Sequence, residues 1–254
     1  MPRRLLIGKT ALITGSSMRI GRVTALTLAD AGANIIVHYR NSRDKAEALV
    51  KELEKEHSVA AWAIHADFAR SGERELLIDA ALAASGGIDI LVNNASEFAS
   101  DTIDTVTYED FVNSLQVNAW SPFVLCRSFA EKVGKGKIVN ILDTRIRGFD
   151  WNHVSYILSK HVLEVLTRMM ALRYAPNIQV NAVAPGLILP PPGKDQSYLD
   201  KLKESVPLKM HGTPQDIADT IKYLVESSFV TGEVIYVDGG RHLKQYVDEE
   251  KGTE

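Results

Sequence analysis

Cysteine is almost absent: Cys126 is the one thiol in 254 residues. That excludes an internal disulfide and a cysteine-based zinc site, and it points to a reducing compartment. Cys126 follows the apolar run Phe123-Val124-Leu125, which marks it as a buried structural thiol rather than a nucleophile. Excess charge of one sign is absent too. The chain has 29 basic and 32 acidic residues, a net charge of −3, so the composition gives no reason to expect nucleic acid or an anionic membrane as the main partner. No apolar run approaches the roughly 18 residues of a membrane span. The opening Met1-Pro2-Arg3-Arg4-Leu5-Leu6-Ile7-Gly8-Lys9 is only briefly like a signal peptide, because Lys9 breaks it and no small-residue cleavage site follows. A cytoplasmic protein with a small-molecule substrate and no metal is the expectation. What is present is 45% hydrophobic and 24% charged residues, enough for one large α/β domain or two small ones.

Short apolar runs alternate with amphipathic ones. Strands are expected at residues 11–14, 34–39, 59–65, 88–92, 137–141, 178–183 and 234–237. Helices are expected at 20–31 closed by Gly32, 42–56 capped by Ser42, 71–85, 107–133 interrupted by Pro122, 154–174 stopped before Pro176, and 214–227. Nearly continuous apolar strands alternating with helices mean a parallel sheet covered on both faces. The expected fold is a doubly wound α/β single domain over residues 1–254 with seven parallel strands. Two segments break the rhythm. Residues 186–197, with Pro190-Pro191-Pro192 and Gly193, form a lid candidate within a substrate loop at 186–204. The end, Asp248-Glu249-Glu250-Lys251, reads as a solvated tail.

In such sheets a ligand binds beyond the carboxyl ends of the strands. The first strand ends there in Thr14-Gly15-Ser16-Ser17-Met18-Arg19-Ile20-Gly21-Arg22, a glycine turn that opens a helix. That arrangement suits a dinucleotide pyrophosphate on free helix N–H groups. The second strand ends Val37-His38-Tyr39-Arg40-Asn41-Ser42-Arg43 without an acid. Arginine favours a 2′-phosphate and a carboxylate would repel it, so NADPH is expected over NADH, with Arg19, Arg40 and Arg43 facing one phosphate. Tyr156 and Lys160 stand four apart and share a helix face at the carboxyl edge of the sheet. The adjacent ammonium and a cationic nicotinamide ring are both expected to favour the phenolate and draw Tyr156 toward a useful acid strength.

With the glycine turn and the Tyr156/Lys160 pair, the chain resembles the short-chain dehydrogenase/reductase family over essentially its whole length. Asn93-Asn94-Ala95 is similar to the family's Asn-Asn-Ala-Gly motif, with Ser96 in the glycine place. The resemblance implies a Rossmann fold in which Tyr156 donates the proton, Lys160 binds the nicotinamide ribose, and Asn118 holds a water of the proton relay. Carried onto this sequence, the cofactor site takes Gly15, Ser17, Arg19, Ile20 and Gly21 from the first turn. It takes His38, Tyr39, Arg40, Asn41 and Ser42 from the second strand end, and Ala66, Asp67 and Phe68 after the third. Asn94, Ala95, Ser96, Tyr156, Lys160, Pro185, Gly186 and Leu187 complete it. Asp238-Gly239-Gly240 matches the family's C-terminal signature. A homotetramer is also implied, built through residues 107–133 and 154–174 and the C-terminal region.

The departures carry the specificity. The turn's second glycine is Arg19, no threonine follows Pro185-Gly186-Leu187, and the usual serine 13 residues before Tyr156 is Asp143. A serine hydroxyl stabilises the oxyanion of a ketone under reduction, which an ionised aspartate repels. Asp143 suits a ring nitrogen that gains a proton, and burial is expected to keep its carboxyl protonated. Alternatively it only fixes a loop, or Thr144 supplies the missing hydroxyl. These departures resemble pteridine and dihydromonapterin reductases, in which a phenylalanine at the place of Phe98 stacks on the pterin. Arg19, Ser96, Phe98, Asp143, Tyr156 and Leu187 are then the substrate-side residues, and Tyr156, Asp143, Lys160 and Asn118 the catalytic ones. The rivals are a carbonyl reductase, such as one acting on 3-oxoacyl thioesters, with Arg145 and Arg147 facing a carrier, and a non-catalytic NADPH-binding sensor.

Overall fold

A computed structural model describes residues 5–70, 72–149, 151–191 and 193–244. The tail at 248–251 and the first four residues lie outside the described residues. Seven strands form one parallel sheet: β1 (Thr10–Ile13), β2 (Asn34–Tyr39), β3 (Ala61–His65), β4 (Ile90–Asn93), β5 (Gly136–Ile141), β6 (Ile178–Pro185) and β7 (Val234–Val237), in the order β3-β2-β1-β4-β5-β6-β7. The expected doubly wound single domain is therefore the observed one. Order reverses between β1 and β4, and their carboxyl ends open the crevice that holds the site.

The central strands β1 and β4 are buried on both faces, which is why they read as unbroken apolar runs, while the edge strands β3 and β7 are mostly half-buried. One face packs α1 (Arg19–Asp30) and α8 (Pro214–Glu226) through Ala25, Leu28, Ile217 and Ile221. The other packs α3 (Glu73–Ser85), α5 (Ser121–Lys132) and α6 (Val154–Tyr174) through Leu77, Ile78, Phe129 and Met170. Each fully buried Leu, Ile or Phe contributes about 1.5–3 kcal/mol relative to exposure. Cys126 lies in this second core, where burial pushes its thiol up to about 12.

Four expectations need correction. Ser42 precedes α2 (Arg43–Glu52), but its hydroxyl meets Ser17 Oγ at 2.6 Å and makes no cap bond. The helical path from residue 107 is not broken at Pro122. Instead α4 (Tyr108–Leu115) runs through a widened turn at Gln116–Trp120 into α5, with Pro122 in its first turn. Proline in the first turn of α5 removes one backbone donor, and the Gln116 carbonyl accepts both the Ser121 N–H and, at 2.7 Å, the Ser121 hydroxyl. The segment 186–204 is not all loop. It carries α7 (Gln196–Leu202), capped by the Asp195 carboxylate. The last helix, α9 (Arg241–Lys244), was not foreseen. No helix among the described residues is long and apolar enough to cross a membrane.

Candidate active site

The first turn is braced by uncharged groups. Thr14 Oγ1 accepts the N–H of Asn94 and of Ala95, each at 2.9 Å, and Asn94 Nδ2 donates to the carbonyls of Thr14 and Gly15 at 2.8 and 3.1 Å. His38 Nδ1 accepts the Gly15 N–H at 2.9 Å, and its Nε2 lies 3.0 Å from the Ala66 carbonyl. That pattern assigns a neutral ring protonated on Nε2. Burial holds His38 down to about 4, and its ring stacks on Phe68 at 4.7 Å. His38 and Phe68, expected at the cofactor, are buried, so here they tie β1, β2 and β3 together behind the turn.

Gly15 has φ +63°, and a Cβ on Gly21 would come within 2.6 Å of both Asn94 Nδ2 and the Gly15 carbonyl. Arg19 has φ 55°, the left-handed region, which explains why a glycine is usual at its place. Helix α1 has no side-chain cap and no acid in its first turn, so its leading N–H groups are left for an anion. The cradle fits a dinucleotide pyrophosphate. The arginines do not gather on one point, however. Arg19 donates to the Pro190 carbonyl at 2.9 Å, while Arg43 bonds Glu47 at 2.7 Å. Arg40 and Asn41 are exposed beside the half-buried Tyr39, and Asp67 is half-buried after β3 with Oδ1 accepting the Ala69 N–H at 3.1 Å. Ile20 is half-buried on the core, and Pro185 ends β6. Gly186 is closely faced by Asp238, whose carboxylate accepts the N–H groups of Gly240 and His242 and the Thr144 hydroxyl. Thr144 is thereby committed and does not supply the missing serine hydroxyl. Leu187 packs with Leu199 and Val206 under the 186–204 segment.

The catalytic face is organised by charge. The Asp101 carboxylate accepts the Ser155 N–H at 3.1 Å and the Ser155 hydroxyl, which anchors the start of α6. Three residues that the sequence singled out come together there. Tyr156 donates its hydroxyl to Asp143 Oδ2 at 3.2 Å, and Lys160 Nζ, buried, donates to the Ile141 carbonyl at 2.8 Å. Asn118, in the widened turn, accepts Ser96 Oγ at 3.0 Å and the Glu97 N–H at 2.8 Å. Its Nδ2 donates to the Glu97 carbonyl and to Ser159 Oγ. The Asn118 side chain thus clamps the Ser96–Glu97 segment to α6.

One protonation expectation is overturned, and the other is not met by the protein alone. Asp143 is not kept protonated. Burial alone would push its carboxyl up, but the Arg145 guanidinium and its hydrogen bonds, with Lys160 behind, hold it below the usual carboxylate range. Tyr156 in the protein alone is not drawn down. Burial and the Asp143 charge raise its phenol well above the ordinary value. Burial lowers Lys160 to about 8 against the opposing pull of Asp143.

Arg145 and His153 were missed as site residues. Arg145 follows Asp143 by two in a tight turn, donates its own N–H to Asp143 Oδ1 at 2.9 Å, and so lies in a local turn pattern that was legible. Phe98 is 39% exposed, and its ring stacks on His153 at 4.0 Å, meets Tyr156 edge-on at 4.8 Å, and lies beneath the Arg145 guanidinium at 5.4 Å. Arg147 sits over the Tyr236 ring at 5.3 Å and 3.9 Å from Glu164.

The sequence model of the enoyl-(acyl carrier protein) reductase family matches residues 15–242. The chain is 33% identical over 247 residues to the 3-oxoacyl-[acyl-carrier-protein] reductase FabG of Staphylococcus epidermidis, covering 93% of this chain and 100% of that one. It is 32% identical to 3beta-hydroxysteroid dehydrogenase 1 of Eggerthella lenta, covering 93% and 94%. Among solved structures, FolM alternative dihydrofolate reductase 1 of Brucella suis in complex with NADP superposes with a TM-score of 0.88 at 30% identity, covering 93% of this chain and 96% of that one. The protein of the same name from Brucella canis, complexed with NADP, gives 0.86 at 30% identity, covering 94% and 96%.

Proposed function

Because the chain belongs to the short-chain dehydrogenase/reductase family, we propose that it is a cytoplasmic NADPH-dependent reductase acting on a carbon–nitrogen double bond of a dihydropterin-like ring. The observation that carries this reading is Asp143, a largely buried carboxylate bonded to Tyr156 where a carbonyl reductase has a neutral hydroxyl. A ketone gathers negative charge on oxygen as it is reduced, and an adjacent carboxylate opposes that. A ring nitrogen instead takes up a proton, and an adjacent carboxylate favours it. The likeness to dihydrofolate reductases solved with NADP supports both the cofactor and the heterocycle.

NADPH, when bound, supplies the hydride. The free N–H groups of α1 and the glycines at 15 and 21 take its pyrophosphate, and the acid-free end of β2 accommodates a 2′-phosphate. Lys160 holds the ribose and a positive charge beside Tyr156, whose hydroxyl donates the proton to the substrate. Phe98 and Ser96 border the substrate, with Arg19 and Leu187 on the side of the 186–204 segment. Reduction of a 3-oxoacyl thioester is the second reading, favoured by the 33% identity to FabG. Following NADPH oxidation separates the two: a dihydropterin should be turned over, and turnover of an acetoacetyl thioester alone would overturn the first reading.

A homotetramer fits the same reading. Leu158, Val162, Val165, Met169 and Leu172 form an exposed apolar stripe along α6, with Val112 and Trp120 exposed beside α4 and α5. Sedimentation of the protein at four times the chain mass is the expected result.

A further inference from the structure

The Asp143 turn holds a pair of opposite charges at the centre of the site. Arg145 Nε donates to Asp143 Oδ1 at 3.0 Å and an Arg145 NH2 to Oδ2 at 2.9 Å, while the Arg145 backbone N–H takes Oδ1 as well. Both side chains are mostly shielded, with 18% and 14% exposed, so the pair is not a solvated surface bridge. The same guanidinium lies over the rings of Phe98 and Tyr156 at 5.4 and 5.6 Å. Arg145 therefore touches every group that borders the reacting ring from the Asp143 side. It is placed to set what Asp143 is chemically.

We propose that Arg145 is a positioning residue for the reduction: its two-point pairing keeps Asp143 a carboxylate, so that Asp143 accepts the Tyr156 hydroxyl and Tyr156 is the sole proton donor. This rests on the reading of the site as a C=N reductase. The step balances with these groups. As the hydride pair reaches the ring carbon, the Tyr156 O–H bond breaks and an N–H bond forms on the neighbouring nitrogen. The phenolate left on Tyr156, stabilised by the nearby Lys160 ammonium, regains its proton from water. Asp143 neither gains nor loses a proton. Its Oδ2, 3.2 Å from the Tyr156 hydroxyl oxygen, holds that oxygen in place, and its charge favours positive charge on the protonated nitrogen.

Among the described residues, the charged and hydrogen-bonding groups acting on Asp143 come from two elements. Arg145 stands on its own turn, and Tyr156 and Lys160 stand on α6. On the neighbouring segment, Ser96 and Phe98 are uncharged, and Glu97 turns its carboxylate to Asn113 at 2.9 Å. Without Arg145, a shielded carboxylate beside a phenol takes up a proton in preference to staying charged. The site would then hold two acids and no acceptor.

The test is the Arg145→Met variant, read by infrared difference spectra of the protein alone across pH, with Asp143→Asn as the subtraction. The native protein should show no carboxylic-acid band for Asp143 above about pH 4. The variant should show one with its midpoint raised by about 2 pH units or more. Arg145→Lys, which keeps a charge but only a one-point bond, should return most of the shift, and Arg145→Gln, which keeps a donor without the charge, serves as the test with the same raised midpoint expected if the methionine variant does not fold. In dihydropterin turnover, Arg145→Met should gain an acid limb in kcat/KM at that same midpoint, and the limb should vanish in the Arg145→Met, Asp143→Asn double variant. A folded Arg145→Met protein in which the Asp143 band does not move overturns the proposal. A band that moves while the native protein turns over no dihydropterin supports the Arg145–Asp143 linkage and overturns the substrate reading alone.

Discussion

At the first turn, Thr14, Asn94 and a neutral His38 hold the backbone with uncharged hydrogen bonds. At the Asp143 turn, on the other side of the crevice, a guanidinium, a carboxylate and a buried ammonium do the holding. The difference follows from what each side receives. A cradle for an anion must keep its N–H groups free and must carry no competing carboxylate, so its bracing is neutral. A proton-transfer site must fix which groups are charged, so its bracing is ionic. The largest effect that separates the two is Tyr156→Phe. It removes the proton donor and leaves the cradle intact. The expected result is a fall in kcat of about 10²- to 10⁴-fold with the NADPH Kd within about twofold of native, measured by turnover and by fluorescence titration. Equal losses in both would erase the division.

The neutral side predicts a pH effect on stability. His38 is held down to about 4 from an ordinary 6.5, so between those values the unfolded chain carries a proton that the native ring refuses. Stability is then full above pH 6.5 and falls as pH drops toward 4, by up to about 3 kcal/mol from this one group. Asparagine at this position keeps an acceptor but cannot titrate. Denaturant midpoints of the native protein and of His38→Asn should converge, or cross, as pH falls from 6.5 to 4. Parallel curves across that window would mean that the ring is not held neutral.

Most of the frame and part of the site were legible. All seven strands follow from apolar runs because both faces of the sheet are covered. Tyr156 and Lys160 follow from their spacing of four, which any helix turns into one face. The rest depended on partners distant in sequence or hidden in local detail. The widened turn at Gln116–Trp120 looked like a break, since proline marks where a helix lacks a donor but not how the path adapts. Helix α7 hid behind the proline-rich start of its segment. The bracing of the Gly15 N–H by His38 was not legible, because strand position gives the end of β2 but not the direction of its ring. Asp143 was recognised as the unusual residue, but its charge depends on Arg145, and burial alone pointed the other way.

The ionic side can be tested on its own through a smaller effect. Lys160 sits at about 8 as a balance, with burial lowering it and the Asp143 carboxylate raising it. An ammonium is present below that value and lost as pH rises through it, so kcat/KM of the native protein should fall on the alkaline side near pH 8. Asp143→Asn removes the charge that favours the ammonium. Its loss lowers the Lys160 pKa, so the alkaline limb should move to lower pH. The quantity to read is the position of that limb and not the height of the profile, because loss of Asp143 also lowers the rate. A limb that stays in place would show that the two side chains, although in one site, are electrostatically independent. The catalytic face would then resemble the neutral cradle more closely than its charges imply.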